Sequence, residues 1–225
     1  HDGDIEKIAL SREKSKKTIQ TEKTPKNNPP QPNKSQVNLY LRKWKTLKKY
    51  KMQEESLNLL FNEWPENKEL EQILLKVSAL NDFYSTRIFD TYSVANHIFD
   101  CNIDKDLKAG KKELVKKISE VPKKDKSKPR KFYSFASKYC SHHNSKSYPI
   151  YDYYVDNMLR HFRKKDKFCT FYNSELKEYK SFVEIFEKFQ KHYKLSDFSL
   201  RNIDIYLWQA GKEYFPRKKQ IKKNK

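Results

Sequence analysis

From Val37 onward, apolar residues recur at helical spacing. In VNLYLRKWKTLKKYKMQEESLNLLFNEW, Leu41, Trp44, Leu47 and Tyr50 or Met52 fall near one face, and Pro65 ends the run. The next stretch, KELEQILLKVSALNDFYSTRIFDTYSVANHIFD, predicts two helices over 68–80 and 86–99, parted by the turn-prone Asn81 and Asp82. Residues 104–119 read as a short loop and a helix, and 132–142 and 153–162 as two more helices. Leu176, Phe182, Ile185, Phe186 and Phe189 keep helical spacing across 174–193, with Ser174 as cap, and 199–214 form a last helix. No strand pair and no internal repeat stands out. The predicted fold class is therefore all-α, with one compact helical domain over 37–215. A basic polar arm, 1–36, ends in KTPKNNPPQPNKSQ and is too poor in apolar residues to order itself. A basic tail, 216–225, follows the domain.

Composition sharpens this picture. Only three glycines occur among 225 residues, which excludes the glycine-rich phosphate loops of nucleotide-binding proteins. Tyrosine and phenylalanine are abundant, 15 and 14, enough to build a core despite 35% charged residues. The formal charge is +20, and residues 1–38 account for only +3 of it, leaving +17 on the rest. A folded part this basic points to a polyanionic partner, nucleic acid first, against the plainer reading of a generally lysine-rich composition. Two basic clusters stand out: PKKDKSKPRK (122–131), with Lys128, Arg130 and Lys131, and RHFRKKDK (160–167), with Arg160 and Arg163. Three widely spaced cysteines form neither a disulfide framework nor a zinc pattern. The C-S-H-H run at 140–143 offers at most two ligands from one helix face, so no metal and no cofactor is expected. No transmembrane run and no signal-peptide segment is visible, so the expected setting is the cytoplasm, without a membrane partner.

The chemistry concentrates in 132–159, FYSFASKYCSHHNSKSYPIYDYYVDNML. Lys138 follows Phe135 and Ala136 on a predicted helix, and a lysine drawn partly out of water can serve as a nucleophile toward a sugar carbon. Taken alone it is more plausibly one solvated lysine among 49 basic residues. Pro149 holds 147–148 extended, which puts Asp152 at a helix N-cap. Capping does not exclude catalysis, because a carboxylate at a cleft also stabilises positive charge developing on a sugar.

This order of elements resembles the helix-hairpin-helix DNA glycosylase superfamily: a lysine on a helix (SFASKYC), a short turn, then an aspartate opening the next helix (PIYDYYVDNML). VSALNDFYST resembles the family segment that wedges a side chain into the duplex, with Asn81 at the matching position. IDIYLWQAGKEYF resembles the closing helix of that fold. The similarity spans about residues 60–215. It departs from the family at the hairpin, where KSKPRKFYSF has no glycine, in its short separation of Lys138 from Asp152, and in lacking the iron–sulfur cysteines of some members. The resemblance implies a monomer that bends duplex DNA and flips a modified base, of phage type or otherwise, into a pocket. In that reading Lys138 attacks C1′, Asp152 stabilises the sugar cation or deprotonates a nucleophile, and Tyr148, Tyr151 and Trp208 line the base pocket. Asn81, Lys128, Arg130, Lys131, Arg160 and Arg163 hold DNA. The rival readings are a non-enzymatic basic DNA- or RNA-binding module and, less favoured, a ribosome-associated protein.

Overall fold

A computed structural model describes residues 28–217, except Lys124 and Lys126; the first 27 residues of the arm and 218–225 of the tail lie outside it. Among the described residues, ten α-helices run in order: α1 (Lys34–Thr46), α2 (Lys48–Glu63), α3 (Leu70–Tyr84), α4 (Thr91–Cys101), α5 (Asp104–Lys108), α6 (Glu113–Ser119), α7 (Tyr133–His143), α8 (Tyr153–Asp166), α9 (Tyr179–His192) and α10 (Leu200–Tyr214). The all-α class holds, with one addition. β1 (Glu120–Val121) and β2 (Arg130–Lys131) pair antiparallel between α6 and α7. The stretch matched to the glycosylase hairpin is thus a short ribbon closed by the proline-flanked loop 122–129, not a tight turn between helices.

Local sequence explains most of the helix ends. The first helix starts three residues before Val37, because the Asn33 side chain accepts the Gln36 N–H as an N-cap. Pro29 and Pro32, at the end of the predicted arm, are buried. The third helix runs past the predicted stop at Leu80 to Tyr84, and closes with Ser85 in the left-handed region at φ 50°. Asp152 caps α8, and Val155, Met158, Leu159 and Phe162 form its buried stripe. Glu178, rather than Ser174, caps α9 by accepting from the Lys180 and Ser181 amides. Ser199 and Asn202 form a reciprocal capping box at α10.

Helix α7 sits in the middle of the molecule. Phe135, Ala136, Tyr139 and Cys140 are buried, and so are Ser137, Lys138 and Ser141, leaving no solvated face across those seven residues. Helix α10 packs on α8 and α1. Its approach to α8 depends on Gly211: a Cβ there would lie 2.7 Å from both the Cβ and the carbonyl oxygen of Tyr154. The extended segment 148–152 is stitched to three helices. Tyr179 Oη donates to the Pro149 carbonyl (2.7 Å), and the Ile150 amide donates to Asp204 Oδ2 (2.9 Å). The Tyr151 amide donates to Ser137 Oγ (3.1 Å), and the Ser134 hydroxyl donates to the Tyr151 carbonyl (3.0 Å). These bonds fix where α7 and the start of α8 stand relative to each other and to α10.

Candidate active site

Where those three helices converge, a cavity of about 560 Å³ opens, and both Lys138 and Asp152 line it. Lys138 is 4% exposed. Its Nζ donates to Ser134 Oγ (2.5 Å), to the Ser134 carbonyl (3.3 Å) and to the Tyr151 carbonyl (3.5 Å), and lies 5.3 Å above the Tyr84 ring. All three acceptors are neutral. Burial pulls its pKa below the ordinary lysine value, and the charges of Asp152 and Asp204 only partly oppose that. Asp152 accepts the Tyr154 amide (2.6 Å) and the Val155 amide (3.4 Å), both on Oδ1, so Oδ2 takes no part in the cap.

The opposite wall belongs to α10, α1 and α2. Trp44 stacks on Tyr50 at 6.1 Å, and Trp208 stands edge-on to both, at 5.9 and 5.1 Å. Lys212 Nζ sits over Tyr50 and Trp208, 4.7 and 4.8 Å from the ring centres. Arg201 is bound through Nε (2.9 Å) and Nη2 (2.6 Å) to Glu54 Oε1, while Trp44 Nε1 donates to Glu54 Oε2 (2.9 Å). Asp204 is 3% exposed; its Oδ2 accepts the Ile150 amide, and its Oδ1 has no partner. Burial outweighs the pull of Arg201 and Lys138 and pushes its pKa up to about 8. The remaining rim includes Thr86, Arg87, Lys131 and Arg217.

Of the residues expected from the sequence, Lys138, Asp152, Trp208 and Lys131 come together at this cavity. Tyr148 and Tyr151 do not. Tyr148 is fully buried and donates to the Asp106 (3.2 Å) and Lys111 (3.1 Å) carbonyls. Tyr151 packs on Tyr133 and Phe182 and donates to Asp156 Oδ2 (2.7 Å), with Lys177 at its hydroxyl. Both are core residues whose hydroxyls are satisfied inside the protein, so their assignment to a base pocket is corrected. Asn81 is corrected too. Its side chain accepts from Thr86 Oγ1 (2.8 Å) and the Ile88 amide (2.9 Å) and donates to the Ile88 carbonyl (3.0 Å). It pins the loop between α3 and α4 and is not a free wedge. That loop carries Arg87 at φ 62° and projects Phe89, which is 98% exposed.

Arg160 and Arg163 are also committed internally. Arg160 Nε lies 2.5 Å from Asp156 Oδ1, and Arg163 Nη1 donates to the Phe171 carbonyl at 2.5 Å. They brace α8 through these contacts and remain partly exposed. Lys128 and Arg130 are exposed on the ribbon, with Arg130 Nη1 3.9 Å from Asp90 Oδ2. Sequence reasoning missed Asp204, the Arg201–Glu54 pair, Trp44, Tyr50, Lys212 and Phe89. One signal was present: Asp204, Trp208 and Lys212 recur every fourth residue, a single stripe along α10.

The two adjacent histidines serve the core. His142 Nε2 is 3.0 Å from Tyr84 Oη, and both His142 and His143 pack on Phe61. Burial lowers the pKa of each to about 3. Among the described residues, no three His, Cys, Asp or Glu side chains are grouped to hold a metal ion, and no helix is long and apolar enough to cross a membrane.

A family profile described as an N-terminal domain, HI_0787_N, matches residues 36–147. An uncharacterized protein of Haemophilus influenzae (strain ATCC 51907 / DSM 11121 / KW20 / Rd) is 45% identical over 151 residues, 67% of this chain and 71% of that protein. No solved structure matches the chain. The profile ends just before Tyr148, so the cavity draws Lys138 from the matched segment and Asp152 and Asp204 from beyond it.

Proposed function

We propose that this chain, which belongs to the family of that Haemophilus influenzae protein, is a DNA glycosylase with β-lyase chemistry, acting as a monomer on a base flipped out of duplex DNA. One observation carries the reading: a buried lysine held only by neutral acceptors and an N-cap carboxylate line the same aromatic-walled cavity of a protein with charge +20. A base-excision enzyme needs a neutral amine near C1′, a carboxylate facing the developing sugar cation, and a dry aromatic recess for the base. The cavity volume falls within the range of pockets that take drug-sized molecules. That leaves room for an enlarged base of the phage-modified kind.

The chemistry proceeds as follows. The Lys138 amine, whose charged form burial disfavours, attacks C1′; the C1′–N bond breaks, its electron pair leaves with the base, and the base takes up the proton that the attacking amine loses. Asp152 stabilises positive charge at C1′ while that bond is breaking. Opening of the C1′–O4′ bond, with a proton going to O4′, gives an iminium between Lys138 and C1′. Loss of a C2′ proton then expels the 3′-phosphate as the C3′–O3′ bond breaks. In this reading the ribbon residues Lys128, Arg130 and Lys131 contact phosphates, and Phe89 on the loop pinned by Asn81 enters the stack.

Borohydride trapping tests this. The protein is incubated with duplexes carrying normal, oxidised, alkylated or phage-type modified bases, and with abasic DNA. A covalent adduct on a denaturing gel that disappears in Lys138→Gln supports the Schiff-base mechanism. Base release without an adduct, lost in Asp152→Asn, assigns a monofunctional glycosylase. A second reading, a non-enzymatic nucleic-acid-binding protein, is favoured by the basic ribbon standing where the glycosylases carry a glycine-rich hairpin. It predicts salt-sensitive binding with neither adduct nor free base.

A further inference from the structure

Asp204 is unused by the steps above, yet it lines the cavity with a buried oxygen that has no hydrogen-bond partner. Its two oxygens are not equivalent. Oδ2 accepts the Ile150 amide at 2.9 Å, and an oxygen that accepts an N–H is the one that stays unprotonated. A proton carried by this carboxyl would therefore sit on Oδ1, where nothing in the protein receives it. Buried polar groups without partners are costly and rare, so this one calls for a group that pairs with it. Asp204 also stands one helical turn before Trp208 on α10, so the two share one stripe of the helix, and both line the cavity.

We infer that Asp204 is a specificity-determining residue that reads the extruded base by donating a hydrogen bond from Oδ1 to an acceptor on the ring edge, a carbonyl oxygen or a ring nitrogen. The inference rests on the glycosylase reading. The pKa of about 8 agrees with it, because a carboxyl that keeps its proton near neutral pH is a donor. A carboxylate at the same place would repel such an edge. The neighbouring Arg201 is turned toward Glu54, to which its Nε and Nη2 both donate.

Two variants separate the possibilities. Asp204→Asn keeps an acceptor for the Ile150 amide and offers an N–H in place of the Oδ1 proton. Asp204→Leu removes both. Each is assayed for base release from the modified-base duplex and for borohydride trapping on abasic DNA, which has no base to read. Thermal melts of both variants check that they fold. The ratio of base release to abasic trapping is expected to fall roughly 10- to 100-fold in Asp204→Leu and to return to within a few-fold of native in Asp204→Asn. An Asn variant as poor as the Leu variant would mean that charge, not donation, is required, and would overturn the inference. Equal loss of both activities in Asp204→Leu would reduce the residue to a structural support and overturn it too. If the native protein gives neither adduct nor free base, the glycosylase reading itself fails and takes this inference with it.

Discussion

Replacing Asp204 by Asn should change how stability depends on pH, in a direction and by an amount that its burial sets. The carboxyl is 3% exposed, and its pKa stands at about 8 against 3.8 for an unperturbed aspartate. Between those values the folded protein holds a proton that the unfolded chain has released. Folding is therefore favoured at low pH, and this contribution, complete below pH 3.8, is lost as pH rises toward 8. A difference of about four pKa units corresponds to roughly 6 kcal/mol across the whole window, and to about 1.4 kcal/mol per pH unit inside it. Between pH 5 and 7, native stability should fall by about 2.7 kcal/mol relative to Asp204→Asn, which carries no titrating group there. Urea unfolding at pH 5, 6 and 7 measures this as a difference in midpoint shift on the order of 1 M. His142 and His143 act in the opposite sense: their pKa values near 3 destabilise the fold as pH drops below the ordinary histidine range. Both chains share them, so they cancel in the comparison. Parallel stability curves for native and variant would refute the argument, since they would mean Asp204 is ionised in the fold at pH 5.

Three further outcomes are expected. Lys138→Met should abolish borohydride trapping while raising the melting temperature, because a buried amine is replaced by an apolar chain of similar length. An unchanged or lowered melting temperature in differential scanning calorimetry would contradict the burial argument. Asp152→Asn should lower base release by about 100-fold or more while leaving stability within roughly 0.5 kcal/mol, because Asn caps a helix about as well as Asp. A large loss in chemical denaturation would show the carboxylate to be mainly structural. Asn81→Ala should cost about 1–3 kcal/mol by stripping three hydrogen bonds from the loop, whereas Phe89→Ala should leave stability nearly unchanged and weaken only binding to duplexes with a flippable base. Equal effects of the two on fluorescence-monitored DNA binding and on unfolding would break the distinction drawn between pin and wedge.

The helices were legible because Leu, Phe and Tyr recur at the spacing that one buried face requires, and the lysine–aspartate pair was legible because Pro149 forces an extended link that only a cap can end. Other features depend on contacts that spacing does not encode. Asn81 reads as a turn residue, yet its amide group reaches forward to Ile88 and lets α3 run on to Tyr84. Tyr148, Tyr151 and Trp208 are equivalent as aromatic candidates in a sequence; the internal acceptors at Asp106, Lys111 and Asp156 decide that the two tyrosines are core. A single aspartate in an amphipathic helix ordinarily faces water, and Asp204 is buried only because the 148–152 segment lies across it. Two residues of pairing in the ribbon are too few to leave a period in the sequence.

Gly211 carries a consequence for how this cleft can evolve. A glycine inside a helix costs about 1 kcal/mol relative to alanine, yet alanine here would drive its methyl into Tyr154, two residues past Asp152. The clearance between the helix bearing Asp204 and Trp208 and the helix that Asp152 opens is therefore gauged by one missing carbon atom. Any larger side chain at 211 would act as a shim, pressing on Tyr154 in the cavity wall and widening the aperture from behind. Changes in the size of the accepted ligand are thus accessible through a position that never meets the ligand.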